Sequence, residues 1–358
     1  MTPQSTQRPQ GTPSIMNILV TGGAGYIGSH AVLRLVEAGH FVHVVDNLDR
    51  GNRGAIETLG SIGGDRVSFT EMDIRDGAGL LETMRTHGID SMMHFAALAY
   101  VGESVDEPLR YYDNNVVGSL SVINAALEAG IERFIFSSTC ATYGEPSGRH
   151  LPINEDCPQN PVNPYGRSKL VTEWMLRDAA AAARKRSQPF AFAALRYFNV
   201  AGADEKTRIG EDHRPESHLI PICLEVALGK RDALTIYGSD YPTPDGTCIR
   251  DYVHVSDLVE AHLATIEALK PGEQLAYNVG IGRGYSVREC LEACRRVTGH
   301  AIPEKEGPRR PGDPPSLTAD PARIEKDLGF KARFTELDEI IETAWRWYQA
   351  HPDGYDRA

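Results

Sequence analysis

The stretch Asn17-Ile18-Leu19-Val20-Thr21-Gly22-Gly23-Ala24-Gly25-Tyr26-Ile27-Gly28-Ser29-His30 decides how the rest of the chain is read. Asn17 to Val20 is a short apolar run of the kind that forms a buried strand. A glycine cluster follows, then apolar residues at helical spacing: Ile27, Val32, Leu33, Leu35 and Val36. Strand, glycine turn and helix in that order form a phosphate-binding context. Glycine lets the backbone turn tightly and approach a ligand where a Cβ would intrude. The helix start then offers free N–H groups and the positive end of its dipole.

The glycines fit two spacings. Gly23, Gly25 and Gly28 spell G-x-G-x-x-G, and Gly22, Gly25 and Gly28 spell G-x-x-G-x-x-G. Glycine turns join many strands to helices without any ligand, so the next strand matters. Phe41-Val42-His43-Val44-Val45 ends at Asp46, 18 residues past Gly28. An acid at the tip of the second strand, about 20 residues on, is where a ribose diol is held. Its charge repels a 2′-phosphate, which favours NAD over NADP.

Composition narrows the classes. The chain has 358 residues, a formal net charge of −12, 41% hydrophobic and 24% charged residues, values ordinary for a globular protein. The acidic balance argues against a nucleic-acid partner or a membrane surface. No run approaches the ~20 apolar residues of a membrane span. The six cysteines (Cys140, Cys157, Cys223, Cys248, Cys290 and Cys294) form no C-x-x-C pair, so neither a zinc site nor thioredoxin-like chemistry is expected, and no metal ligand is assigned. Reduced thiols in a cytoplasmic enzyme account for them most simply. Residues 1–15, rich in Pro, Gln, Thr and Ser, read as a disordered tail.

Further along, Arg66 to Phe69 reads as a third strand leading to Asp73-Ile74. Asp73 is placed to accept from an adenine amino group with Ile74 against the ring, and Asp76 reads as a helix N-cap. Ser91 to Phe95 is a fourth strand, followed by the small residues Ala96 and Ala97. Helix is expected from Pro108 to Ala129, a fifth strand over Arg133–Phe136 ending in Ser137-Ser138-Thr139, helix again from Pro164, and a sixth strand over Phe190–Leu195. Such alternation requires a parallel sheet with helices on both faces, a doubly wound Rossmann-type α/β fold whose ligands sit at the carboxyl ends of the strands. After about Tyr197, Pro and Gly interrupt the pattern often. We expect a nucleotide-binding unit over 16–198, a smaller irregular α/β substrate unit over 199–350 with some segments returning to the first, and a tail over 351–358.

Tyr165-Gly166-Arg167-Ser168-Lys169 sets a tyrosine and a lysine at i and i+4, on one helix face. A tyrosine with an ordinary pKa of about 10 is a poor base. A neighbouring ammonium, or the positive ring of NAD⁺, favours its phenolate. The pair thus suits a proton acceptor for an alcohol that loses hydride. By itself Tyr-x-x-x-Lys is a common solvated helix face; beside the glycine turn and the hydroxyl-rich strand end, coincidence is a poor explanation.

The glycine turn, Tyr165-x-x-x-Lys169 and the hydroxyl of Thr139 resemble the extended short-chain dehydrogenase/reductases. Further motifs are similar to the UDP-glucose 4-epimerase family within them: Asp46-Asn47-Leu48, Phe95-Ala96-Ala97, Val101-Gly102-Glu103-Ser104, Tyr111 to Asn115, Arg196 to Asn199, Thr247 to Val255, and Arg309-Arg310-x-Gly312-Asp313, covering about Asn17 to His351. The resemblance implies that Tyr165 takes the proton from the sugar 4-hydroxyl while hydride passes to bound NAD. The resulting 4-keto sugar rotates and is reduced from the other face, interconverting UDP-glucose and UDP-galactose without net redox. It implies catalytic Tyr165, Lys169 and Thr139. It also implies a cofactor site of Gly22, Gly25, Tyr26, Ile27, Gly28, Asp46, Asn47, Asp73, Ile74, Phe95, Ala96, Ala97, Asn115, Ser137 and Tyr197 with Tyr165 and Lys169. For the substrate it implies Thr139, Tyr165, Asn199, His218, Leu219, Tyr237, Arg250, Arg310, Asp313 and Leu317. The long helices from Pro108 and Pro164 resemble those that pair in family homodimers.

Relatives that dehydrate sugar nucleotides carry an Asp-Glu pair where this chain has Cys140 and Ala141, which argues against dehydration. Ala99 stands where some epimerases have a lysine near the cofactor pyrophosphate. Leu317 matches a position whose size limits space beside the sugar. Its intermediate bulk neither admits nor excludes N-acetylated sugars, and a 4-epimerase of UDP-N-acetylglucosamine or of a UDP-pentose is the second enzyme reading. A non-catalytic NAD-binding scaffold is the reading from another class, and the intact tyrosine–lysine pair opposes it.

Overall fold

In the computed structural model, residues 15–146, 148–310 and 312–355 are described. The amino-terminal segment read as a tail lies outside them up to residue 14. Apolar runs become the strands β1 (Asn17–Thr21), β2 (Phe41–Asp46), β3 (Val67–Glu71), β4 (Ser91–His94), β5 (Arg133–Thr139) and β6 (Ala191–Tyr197). Between them run α1 (Tyr26–Glu37), α2 (Arg53–Gly63), α3 (Gly77–Thr86), the short α4 (Val101–Asp106) and α5 (Pro108–Tyr111), α6 (Gly118–Ala129) and α7 (Pro164–Lys185). Asp76 caps α3, accepting from Gly79 N at 3.0 Å. α7 is started by Pro164 and by Asn163, whose side chain accepts from Gly166 N at 2.8 Å.

All these strands pair in parallel, and β10 (Gln274–Val279) adds to β6, so the seven-stranded order is β10-β6-β5-β4-β1-β2-β3. The order reverses between β1 and β4, which creates the crevice where doubly wound sheets bind ligands. Each face of the sheet carries an apolar core. One gathers Val20, Val32, Val44 and Leu258; the other gathers Leu19, Met92, Phe134 and Leu176.

The remaining chain is more broken: β7 (Asn199–Ala201), α8 (Leu219–Ala227), β8 (Leu234–Tyr237), β9 (Ile249–His254), α9 (Val255–Ala268), β11 (Gly284–Ser286), α10 (Val287–Thr298), β12 (Glu304–Gly307), β13 (Ser316–Leu317), α11 (Ala322–Leu328) and α12 (Leu337–Ala350). β7, β11 and β13 all pair with β9 in a small sheet, and β8 pairs with β12.

Two expectations change. The helix expected from Pro108 to Ala129 is a continuous run with one π-wound turn at Tyr112–Val117. α2, which begins at Arg53, places buried Ala55, Ile56 and Leu59 at helical spacing. The segment from 351 is not a free tail as far as Tyr355. That ring is buried near Trp347, and its hydroxyl accepts from Gly210 N at 3.0 Å. All six cysteines are buried and unpaired by disulfides.

Candidate active site

The glycine turn is built by close approach of backbone to backbone. A Cβ on Gly28 would lie 2.1 Å from the Gly22 carbonyl oxygen, and one on Gly22 would lie 2.5 Å from Ala96 N. Gly22 also has φ +76°, a conformation that L side chains rarely adopt. The start of α1 carries no side-chain cap and no acid in its first turn, so its positive end is left for an external anion. Beside it the buried Asp46 carboxylate accepts from Ala24 N at 3.0 Å and Leu48 N at 2.8 Å. Burial raises its pKa, and the two N–H bonds oppose the shift. These groups fit a dinucleotide: donors for a pyrophosphate, an acceptor for a diol. Tyr26 ties this turn to the second unit, its hydroxyl donating to Gly202 O at 2.6 Å.

Around that core some expected contacts are already committed within the chain. Asp73 accepts from Arg75 Nε at 2.9 Å and Nη2 at 2.7 Å and from Asn47 Nδ2 at 3.2 Å. The Arg75 guanidinium holds it down at about 2. Asn115 is fully occupied. Its oxygen takes Leu98 N at 2.8 Å and Asn114 Nδ2 at 2.9 Å, and its amide gives to Leu98 O at 2.9 Å and Ser168 Oγ at 3.0 Å. It thereby ties the loop after β4 to α7. Ile74 is buried, and Phe95, Ala96 and Ala97 are half-buried past the end of β4.

β5 and α7 assemble the chemical centre. Lys169 Nζ donates to Ser137 O at 2.8 Å and lies 5.0 Å from the Phe136 ring centroid. Burial pulls its pKa down to about 7. Tyr165 is buried as well, and burial together with Tyr197 raises its pKa, while the hydroxyl of Thr139 beside it acts the other way. The expectation that Lys169 lowers Tyr165 is not realised within the chain alone. The ammonium is turned onto the β5 carbonyl, and desolvation dominates the phenol. Thr139 Oγ1 accepts from Ala141 N at 3.1 Å, and its hydroxyl lies beside the Tyr165 phenol. Ser137 shares a hydrogen bond with the Tyr197 hydroxyl. Where dehydratases place acids, Cys140 is buried with its thiol pushed up to about 12, and Ala141 has no titratable group.

Three of the expected substrate residues, Asn199, Arg250 and Leu317, lie on the small sheet. Arg250 on β9 is in register with Leu317 on β13, and Asn199 on β7 is in register with Tyr252. Arg250 forms an ion pair with Asp313 and donates to Ile249 O at 2.7 Å. Leu317 packs in a cluster with Cys140, Tyr143 and Phe198. Arg310 is exposed and lies 4.2 Å from the ring centroid of Tyr237, which is 41% exposed, so both remain open to a ligand. Arg309 instead pairs with Asp240 at 2.6 Å.

His218 and Leu219 open α8, but the His218 imidazole is not free. Its Nδ1 lies 2.9 Å from Glu211 and 3.0 Å from Glu216. Burial opposes its charge, yet the two carboxylates prevail and raise it to about 10. With His213 these form a four-residue group that the cysteine count could not reveal. The legible signal was the spacing E-x-H-x-x-E-x-H over Glu211–His218.

Known proteins agree with this architecture. Residues 18–280 match the NAD dependent epimerase/dehydratase family. A UDP-glucose 4-epimerase of Halalkalibacterium halodurans is 49% identical over 341 residues, covering 95% of this chain and 98% of that protein. UDP-arabinose 4-epimerase 1 of Arabidopsis thaliana is 44% identical, covering 96% of this chain and 82% of that protein. The crystal structure of UDP-glucose 4-epimerase from Bifidobacterium longum in complex with NAD⁺ and UDP has a TM-score of 0.89 at 39% identity, covering 94% of this chain and 99% of that one. By its sequence, its strand order and its glycine turn, the chain belongs to the NAD dependent epimerase/dehydratase family.

Proposed function

We propose that this enzyme interconverts UDP-glucose and UDP-galactose by epimerisation at C4. The observation that carries the reading is the convergence of Tyr165, Thr139 and Lys169 at the carboxyl end of β5, with no acid at Cys140 or Ala141. Bound NAD supplies a hydride acceptor for C4 and the hydride that is returned. The chain supplies the rest. Thr139 donates to the 4-oxygen. Tyr165 takes the hydroxyl proton and gives it back, and its burial excludes water from that exchange. Lys169 holds the cofactor ribose and places a charge near the phenol when both are engaged.

The nucleotide must stay gripped while the sugar turns. Arg250 and Arg310 hold the diphosphate, each charge-assisted bond contributing ~1.5–3 kcal/mol. Tyr237 lies against the base, Asp313 takes the ribose, and Asn199 and Leu219 line the sugar side. For the cofactor, Gly22, Gly25 and Gly28 with the amides of Tyr26 and Ile27 take the pyrophosphate, and Asp46 takes the adenosine ribose. The relatives named for UDP-arabinose favour a pentose as the second substrate class.

Two copies pair through the helices α4 to α7. Their outer face exposes Val105 (54%), Leu109 (79%), Val117 (47%) and Trp174 (52%), more apolar surface than a solvated helix face needs. Among the described residues no helix is long and apolar enough to cross a membrane, and we place the enzyme in the cytoplasm.

The test is an NMR assay with UDP-galactose, UDP-N-acetylgalactosamine and UDP-arabinose, with no external reductant. UDP-glucose is expected to appear from UDP-galactose with no net NADH, and Tyr165→Phe is expected to stop turnover while retaining NAD. Net NADH release, or conversion confined to another sugar, overturns the reading. Light scattering checks the dimer.

A further inference from the structure

Glu211, His213, Glu216 and His218 lie on the loop between β7 and α8, apart from Tyr165 and Thr139. One donor atom from each lies within 4.8 Å of all the others. His213 Nδ1 is 3.0 Å from Glu211 Oε1 and 3.8 Å from Glu216 Oε2. His218 Nδ1 is 2.9 Å from Glu211 Oε1 and 3.0 Å from Glu216 Oε1. Four N/O donors around a tetrahedral ion, with bonds of about 2.0–2.1 Å, stand about 3.3 Å apart. The observed nitrogen–oxygen separations run from 2.9 to 3.8 Å, with one Glu216 oxygen turned toward each imidazole.

One oxygen of the group lacks a donor. Both carboxylates are inside the fold, with side-chain exposures of 6% for Glu211 and 2% for Glu216. The Nδ1 atoms of His213 and His218 both face the two carboxylates. Glu216 Oε1 is well supplied, by Ser217 N at 2.6 Å and His218 N at 2.7 Å, and these bonds fix how the carboxylate is turned. Its other oxygen, Oε2, is buried, has no hydrogen-bond partner and is turned toward His213. An unsatisfied carboxylate oxygen in the interior is costly, and a cation between the four donors removes that cost.

We propose that Glu211, His213, Glu216 and His218 bind one divalent cation of the zinc class. Two carboxylates carry the charge that a dication cancels, and two imidazoles select a borderline metal such as Zn²⁺ or Co²⁺ over Mg²⁺ or Ca²⁺, which prefer all-oxygen sites. The ion is structural in position. The His213 ring sits edge-on to Tyr26 at 6.2 Å and to Tyr100 at 5.9 Å between centroids, so fixing it fixes the β7–α8 loop against the start of α1 and the loop after β4. Tyr26 opens α1 directly after the glycine turn.

The experiment uses the full chain, stripped with a chelator, then titrated with Zn²⁺ alone by calorimetry and with Co²⁺ alone by visible absorption. One equivalent should bind, Co²⁺ should show the intense d–d bands of tetrahedral coordination, and Zn²⁺ should raise the melting temperature. His213→Ala should abolish the bands, and Glu216→Gln should weaken binding by about tenfold or more, as expected when a metal ligand is neutralised. Circular dichroism verifies that both variants fold. Should a variant not fold, His213→Gln in its place keeps the ring position polar and reads the same loss. Substoichiometric binding, octahedral Co²⁺ spectra or equal binding by the native chain and its variants overturns the proposal and leaves a proton-bridged carboxylate–imidazole group.

Discussion

Glu173 and Arg196 form a two-pronged ion pair inside the protein, with Nε 2.9 Å from Oε1 and Nη2 2.7 Å from Oε2. Glu173 lies one helical turn beyond Lys169 on α7, and Arg196 is on β6. Ser138 on β5 donates to the same carboxylate at 2.7 Å, and Tyr143 accepts from Arg196 Nη1 at 2.9 Å. Burial opposes the Glu173 charge, but Arg196 outweighs it and holds the pKa below its ordinary value. The pair therefore sets the height of α7 over β5, and with it the position of Tyr165 and Lys169. Removing one partner strands the other charge. Glu173→Ala should cost about 3–5 kcal/mol in urea unfolding, and adding Arg196→Met should recover part of that loss. A single-variant cost near zero would show that the helix is held elsewhere.

Gly28→Ala places a methyl 2.1 Å from the Gly22 carbonyl, where backbone meets backbone and neither side yields. NAD retention should be lost and stability should fall. Gly60, half-buried on α2, meets nothing within 4 Å. There the same substitution should stabilise by about 0.5–1 kcal/mol through helix propensity. Fluorescence of bound cofactor and thermal melts compare the two. Equal outcomes would contradict the role given to the turn.

Lys169 titrates near 7 in the folded chain because it is buried, against 10.5 in an unfolded one. Between those values the unfolded chain binds more protons, so this group makes stability rise with pH from about 7 toward 10.5 and contributes no slope below 7. Lys169→Met should flatten the rise. Urea titrations of both chains between pH 6 and pH 9, roughly the lower part of that window, give the difference. A parallel pair of curves would mean that the ammonium is solvated.

Leu317 is 7% exposed and packs against the Cys140 and Phe198 cluster, in register with Arg250. Leu317→Ser should open space on the sugar side and raise the ratio of kcat/KM for UDP-N-acetylgalactosamine over UDP-galactose by about tenfold or more. The lost packing should cost about 2–4 kcal/mol. A stability loss with an unchanged ratio would place the size limit at another residue.

Sequence alone determined the parts of this protein that depend on short-range order. β1, the glycine turn and α1 are contiguous, so their geometry follows from spacing. Asp46 follows from the length of one strand–helix–strand unit, and Tyr165 with Lys169 follows from helical periodicity. Alternating apolar runs required the parallel sheet. What needed the tertiary structure were pairings across long separations. β10 joins β6 from 82 positions away, Gln274 pairing with Phe192 and Val279 with Tyr197. Asn115 and Asp73 are cofactor residues by resemblance, and only the fold shows the partners that use their hydrogen-bonding capacity within the chain. Lys169 was expected to act on Tyr165, but burial sets both groups and the β5 carbonyl takes the ammonium. The four donors of the β7–α8 loop are close in sequence, and only the packing of that loop against Tyr26 and Tyr100 turns them toward one point. Hydrogen-bond capacity and desolvation depend on what the fold places around a group, and neither is a property of the residue itself.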